Sequence, residues 1–355
     1  MTHPTELTIR RPDDMHVHFR QGSRLKAVVP MTARQFGRAI VMPNTTPYIR
    51  TVDEAAVYRD EILAAVPSGV HFTPLMTLYL QTTTSPNTIR AAKKSGFIYG
   101  FKMYPHGATT NSDGGVVQVQ DIEEQLEAME EVDMPLLIHG ESADPEDDVF
   151  ERESLFYSGA FPWLIRHFPR LRICCEHITT KAAVRMIERA DSHLQLGATI
   201  TPQHLLENRN YLLGNGLRPH AYCKPILKEE ADRIALVAAA TSGNPRFFLG
   251  TDSAPHPQHG SAGKAKECDC GCAGCFTAHA ALELYAEAFD SVGALERLED
   301  FASRYGAYFY DLPQSEDTIR LVRESWSAPP SFDFGDDQVV PFRQEAPLTW
   351  RTLAA

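Results

Sequence analysis

The chain has 355 residues, 43% of them hydrophobic and 23% charged, and carries a formal net charge of −12. That is ample apolar material for one large core or two ordinary ones, and the negative balance argues against nucleic acid or an anionic membrane held by bulk electrostatics. An anionic substrate would need local arginines or metal ions to hold it against that global field.

The opening MTHPTELTIRRPDD has no apolar stretch of signal-peptide length, and nowhere do about 18 apolar residues run together, so a soluble, cytoplasmic protein is expected. The seven cysteines make an odd count, and Cys268, Cys270, Cys272 and Cys275 crowd into eight residues. A reducing compartment suits that pattern better than a secreted disulfide framework.

Short apolar runs alternate with amphipathic segments along the chain. The strand candidates, in order, are LTIRRPDDMHVHF (7–19), RAIVMPN (38–44), TPLMTLYL (73–80), FIYGFKMYP (97–105), MPLLIHGE (134–141), RICCEHIT (172–179), QLGATITP (195–202) and RFFLGTDSAPH (246–256). Between them, TVDEAAVYRDEILAAV opens on a Thr51-x-x-Glu54 capping box and lines up Tyr58, Ile62 and Val66. DIEEQLEAMEEV offers Asp121 as N-cap, with Ile122, Leu126 and Met129 facing inward. Eight strands alternating with helices predict a (β/α)8 barrel, a TIM barrel in one domain over 1–355. A doubly wound open sheet is the rival, but no GxGxxG follows the first strand. The segment after about residue 313 is rich in Pro, Asp and Phe and is expected to pack on the barrel surface.

Catalytic groups of such a barrel sit at the C-terminal ends of its strands. There the runs end in His16 and His18, Asn44, Lys102, His139, His177 and Asp252. A lone histidine of this kind is more often a hydrogen-bonded core residue, but four of them with a carboxylate point elsewhere. Residues i and i+2 of a strand share a face, so His16 and His18 enter the mouth together and suit Zn²⁺ or a similar ion. Lys102 is out of place beside cations as an ammonium. A neutral lysine can instead add CO2 and become an anionic carbamate able to bridge two metals.

HVHFR, VMPN, KMYPHGATTNSDGG, LLIHGE, EHITT, ATITPQHL, RPHAYCKPILK and FFLGTDSAPH together resemble the dihydroorotases of the short bacterial, monofunctional type, in the amidohydrolase superfamily. The resemblance runs from about residue 7 to about residue 312. It implies reversible cyclisation of N-carbamoyl-L-aspartate to L-dihydroorotate, a step of pyrimidine biosynthesis, and a homodimer. It implies two Zn²⁺ per subunit: His16, His18 and Asp252 on the more buried ion, His139 and His177 on the other, carboxylated Lys102 and a hydroxide between them. Asp252 would be the general acid and base. Arg20, on the face of His18, would clamp the unreacting carboxylate of the substrate, joined by Asn44 and His256. His139, Lys224 and Ala273 fall at further substrate contacts. Thr109 and Thr110 in PHGATTNSDGG match the hydroxyl pair of a closing loop.

Some alternatives stay open. Asn44 could be a turn residue, His256 a loop histidine, and PHGATTNSDGG a plain surface loop. Lys224 could meet a ligand by backbone or by side chain. The cysteines of ECDCGCAGCF could bind a structural Zn²⁺, though their spacing is cramped, and the resemblance makes this a loop near the substrate instead. Another cyclic amidase, such as a hydantoinase or dihydropyrimidinase, would need no clamp for an exocyclic carboxylate. A non-catalytic scaffold would have lost metal ligands, and none is missing.

Overall fold

The opening run forms two strands with different partners, not the single strand expected over 7–19. Proline at position 12 has no N–H to give to a ladder, and the pairing changes there. In the computed structural model, which describes residues 4–259, 265–267 and 271–353, β1 (Glu6–Arg10) and β2 (Asp13–Val17) flank that point. β1 pairs antiparallel with a strand from the far end of the chain, Thr318–Val322, which in turn pairs with Arg351–Leu353. The tail therefore packs through a small sheet of its own, and its Leu321, Phe334, Val339 and Trp350 enter the main core.

β2 begins the parallel barrel. It is followed in order by β3 (Arg38–Val41), β4 (Thr73–Tyr79), β5 (Ile98–Met103), β6 (Leu136–His139), β7 (Ile173–Glu176), β8 (Leu196–Ile200) and β9 (Phe247–Leu249). Strands buried on both faces read as continuous apolar runs, which is why all eight were visible in the sequence. The ring closes at the β2–β9 end through a parallel bridge of Val17 with Ser253. His18 N donates to Ser253 O at 3.0 Å and Asp252 N to His16 O at 2.9 Å.

Side chains two apart on a strand point the same way, and this places the site. Ile40, Leu75, Leu137, Cys174 and Phe248 pack together inside the barrel. Two residues beyond Leu137 and Cys174 come His139 and Glu176, and four beyond Phe248 comes Asp252. The apolar layer thus forms the floor on which the polar layer stands.

Among the helices, Val52–Ala65 starts as expected. Thr51 Oγ1 accepts from Glu54 N at 3.2 Å and Glu54 Oε2 accepts from Thr51 N at 3.0 Å. Tyr58 and Ile62 are buried, whereas Val66 ends the helix half-buried. Asp121 is not an N-cap. It lies within a 3-10 turn, Val119–Ile122, that leads into Glu123–Glu131, and its carboxylate accepts from Gln118 N. Ile122, Leu126 and Met129 do face the core. Among the described residues no helix is long and apolar enough to cross a membrane.

Candidate metal centre

His16 Nε2, His18 Nε2 and Asp252 Oδ1 form a nearly equilateral triangle with sides of 3.3, 3.2 and 3.3 Å. Donor atoms held about 2.0–2.1 Å from a tetrahedral zinc stand about 3.3–3.4 Å apart, so the triangle has the edge length of one face of such a site. Burial holds His18 down at about 4 and also lowers His139 and His177, which keeps these imidazoles in the neutral form that ligates a metal. His16 behaves differently. Burial pulls it down, but Glu176 and Asp252 outweigh that and raise it to about 9. The negative field that keeps a proton on His16 is the field a divalent cation would find there. Burial would raise Asp252 too, yet contacts with His16 and His18 hold it well below the usual carboxylate range.

His177 follows Glu176 by one residue, so an extended chain would turn it away from the mouth. The backbone takes φ +43° there, and the ring centroid comes within 4.7 Å of His139 and 5.0 Å of His16. Its Nδ1 is buried without a hydrogen-bond partner. Asp252 at φ +44° and Arg20 at φ +61° share this left-handed conformation, which costs a non-glycine residue about 1–3 kcal/mol. Surrounding bonds hold these turns. Asp14 accepts from Thr251 N at 2.8 Å, Thr251 Oγ1 at 2.6 Å and His16 N at 3.1 Å, lashing the HxH strand to the segment before Asp252. Burial raises this carboxyl to about 6 in spite of those donors. Glu153, from the helix Arg152–Ser158, accepts from the backbone N–H and hydroxyl groups of both Thr179 and Thr180, just past His177.

Lys102 lies beneath the chamber, fully buried, with its ammonium paired to Glu176 and 4.9 Å from the centre of the Tyr104 ring. The other oxygen of Glu176 stands 3.1 Å from His16 Nδ1. Glu141 Oε2 lies 2.6 Å from His139 Nε2, which leaves His139 Nδ1 as its other donor atom. Glu176, Glu141, Asp14 and Glu153 have no place in the strand-end pattern, although three of them lie within EHITT, IHGE and DDMHVH.

An inner chamber of about 20 Å³ is lined by His16, His18, Arg20, Asn44, Thr109, Thr110, His139, His177, Lys224, Asp252 and Ala273, together with Tyr104. His256 instead lines an adjoining outer pocket of about 200 Å³ that shares His18, Arg20, Asn44 and Thr110 with the chamber. Arg20 Nε donates to Pro255 O at 2.7 Å, and Arg20 Nη2 is 3.0 Å from His256 Nε2. Burial, followed by the Arg20 charge, keeps His256 neutral. The Thr109–Thr110 loop lies over the mouth. Asn44 Nδ2 donates to Thr110 O at 3.2 Å, Asn111 Nδ2 to Asn44 O at 3.0 Å, and Thr110 Oγ1 to Ala273 O at 3.4 Å. Lys224 is half-buried, its ammonium disfavoured by burial and supported by Glu141. Cys268 and Cys270 lie outside the described residues, while Cys272 and Cys275 are buried on either side of the Ala273–Gly274 segment.

The amidohydrolase family model matches residues 13–317. A dihydroorotase of Alkalilimnicola ehrlichii is 53% identical over 347 residues, covering 98% of this chain and 99% of its own. The crystal structure of dihydroorotase from Campylobacter jejuni superposes with a TM-score of 0.88 at 35% identity, over 99% of this chain and 98% of that one. Dihydroorotase from Saccharomyces cerevisiae, in complex with 5-fluoroorotic acid, gives 0.90 at 32% identity over 99% of both chains. L-hydantoinase from Arthrobacter aurescens shares the fold (TM-score 0.76, covering 98% of this chain and 84% of its own) at only 16% identity. With triangle, clamp and loop gathered in one mouth, and with relatives at this identity over nearly the whole chain, the chain belongs to the dihydroorotases of the amidohydrolase family.

Proposed function

We propose that this chain interconverts N-carbamoyl-L-aspartate and L-dihydroorotate, with His16, His18 and Asp252 as the residues that would hold one divalent ion, His139 and His177 those that would hold a second, and Lys102 contributing as a carbamate. The observation that carries the reading is the His16–His18–Asp252 triangle opening into the same chamber as Arg20 and Asn44. Zinc suits the imidazole-rich donor set. Two such ions, when bound, lower the pKa of a water molecule and polarise the amide carbonyl under attack.

The chain's own residues do the rest. Forming the carbamate releases two protons from Lys102. The first, as the ammonium becomes an amine, passes to Glu176, the carboxylate already in contact with it. The second leaves to solvent as Nζ bonds to CO2. Asp252, with its carboxylate at the triangle, carries a proton to the ring nitrogen as the amide opens and takes one from the ureido nitrogen as it closes. Arg20 presents a planar fork to the carboxylate that does not react, flanked by Asn44 and His256. The loop bearing Thr109 and Thr110 excludes water once folded against Asn44 and Ala273. His139, Lys224 and the Ala273 backbone complete the wall around the ring. A hydantoinase-like activity would leave the Arg20 clamp without a ligand group. We place the enzyme in the cytoplasm as a homodimer.

A coupled assay of dihydroorotate hydrolysis tests this before chelation, after chelation and with zinc restored. Activity should fall to background on chelation and return with about two zinc equivalents per chain. A chelated enzyme with full activity, or a zinc-restored one hydrolysing only neutral rings, would reject the proposal.

A further inference from the structure

Against the segment whose Ala273 and Gly274 line the chamber lies a buried ammonium that the chemistry above does not use. Lys266 is 4% exposed, and its Nζ donates to Tyr222 O at 2.8 Å, Cys272 O at 2.9 Å and Gly274 O at 2.9 Å. An ammonium has three N–H groups, and three carbonyls take them. Among the described residues no carboxylate pairs with it. A desolvated charge is costly to keep, and burial lowers this one to about 8, so its place in the fold calls for a reason.

The reason lies in the segment that Lys266 grips. Successive carbonyls of an extended chain point to opposite sides. With the carbonyls of Cys272 and Gly274 both turned to Lys266, that of Ala273 is turned the other way, and it meets Thr110 Oγ1 at the mouth. Gly274 N also donates to Tyr222 O at 2.9 Å, so the loop that carries Lys224 is tied to the same point. The segment has no freedom to slide. Gly274 takes φ +151°, and a Cβ there would stand 2.4 Å from Ala254 O and 2.9 Å from His256 Cδ2. Lys266 itself is anchored beside His256, its N donating to Pro257 O at 3.0 Å.

We propose that Lys266 is a positioning and specificity residue of the substrate pocket. Its ammonium fixes the Ala273 peptide toward the ligand and places a second cation beside the Arg20–His256 clamp, favouring ligands that carry a carboxylate. The inference rests on the reading of the site given above.

Lys266→Met, Lys266→Gln and Lys266→Arg in the zinc-loaded full chain test it, with KM and kcat for dihydroorotate, zinc content, and the Kd of 5-fluoroorotate by calorimetry. In Lys266→Met both KM and Kd should rise about 10- to 100-fold, the scale of hydrogen bonds to a charged group, while kcat stays within about threefold and zinc content is unchanged. Lys266→Gln, which keeps donors without charge, should fall between Met and wild type. If the Met variant does not fold, the remaining pair decides, with Lys266→Arg expected to bind 5-fluoroorotate more tightly than Lys266→Gln. KM and Kd within twofold of wild type in Lys266→Met, the reverse order of Arg and Gln, or a loss confined to kcat and zinc would overturn the inference. Turnover by the wild type reports separately on the reading of the site.

Discussion

The two ends of the barrel handle buried charge in opposite ways. At the N-terminal end, Arg38 forks onto Asp13 through Nε at 2.9 Å and Nη2 at 2.6 Å, and Arg172 forks onto Asp133 at 3.3 and 2.9 Å. Each acid there meets a planar partner, in the geometry such pairs prefer. At the C-terminal end, buried polar atoms go without partners: His177 Nδ1, Glu141 Oε1 and the Tyr104 hydroxyl. Unsatisfied buried groups are rare in folded proteins, and those at the mouth are open to a ligand. The N-terminal end, here the floor, is pinned by ion pairs that hold strands in register, although the Tyr310 hydroxyl beside Arg172 is also unpaired, whereas the mouth leaves several such atoms. Changes at the mouth should therefore cost activity and spare stability, and changes at the floor should do the reverse.

The largest effect is expected from Asp252→Asn. Asparagine tolerates a left-handed backbone, so the turn at φ +44° survives, while the proposed proton carrier and anionic ligand are both lost. We expect kcat to fall by at least about a thousandfold, the scale of general acid–base catalysis, with a smaller loss of melting temperature than the floor substitution below gives. Steady-state kinetics and a thermal scan on one preparation check both halves. Retention of a tenth of the activity would remove Asp252 from the chemistry.

Arg38→Met tests the floor. The Asp13 side chain is 2% exposed, and losing its partner should cost about 3 kcal/mol of stability at neutral pH with kcat within about twofold. The sign of the pH dependence follows from burial, which already holds the Asp13 carboxyl above its ordinary value even with Arg38 beside it. Without the guanidinium that elevation grows. A raised carboxyl stabilises the fold only below its unfolded value, about pH 4, and that stability is lost as pH rises through the folded value. The deficit relative to wild type should therefore be smallest in acid and widen toward neutrality in urea titrations. A deficit that shrinks with rising pH would contradict this account of the floor.

The same contrast explains what the sequence could reveal. Each barrel strand is an apolar run ended by a polar side chain, a local pattern that places His16, His18, Lys102, His139 and Asp252 at one rim before any coordinates. His177 stands at a strand end by the same pattern, but the left-handed turn that admits it beside Glu176 has no signature in residue order. The supporting acids were hidden for a related reason. Glu153 reads like an exposed helical acid until the loop after β7 folds onto it, and Asp14 becomes a clasp only when β2 meets the chain after β9. The division of 7–19 is marked by Pro12, but the partner of β1 was out of reach, because it lies at the other end of the chain. Local periodicity shows which residues end strands, while their support depends on contacts that only closure of the barrel creates.

Glu141→Gln is the finer test of the mouth. Its Oε2 lies 2.6 Å from His139 Nε2 and fixes which ring nitrogen faces the chamber, while its Oε1 is buried without a partner. An amide keeps the shape but is a weaker acceptor, and its nitrogen, if turned toward His139, would select the other tautomer. Partners of ligating histidines are worth about 10- to 100-fold in metal affinity. If His139 ligates as proposed, the zinc it holds should be lost at correspondingly lower chelator concentration, with kcat restored by excess zinc. Burial opposes the charge on Glu141 while His139, Lys228 and Lys224 support it, so removing that charge should change stability by less than the floor substitution does. If Glu141→Gln instead unfolds the chain as readily as Arg38→Met while keeping its zinc, the two ends of the barrel do not divide their work between ligand and fold.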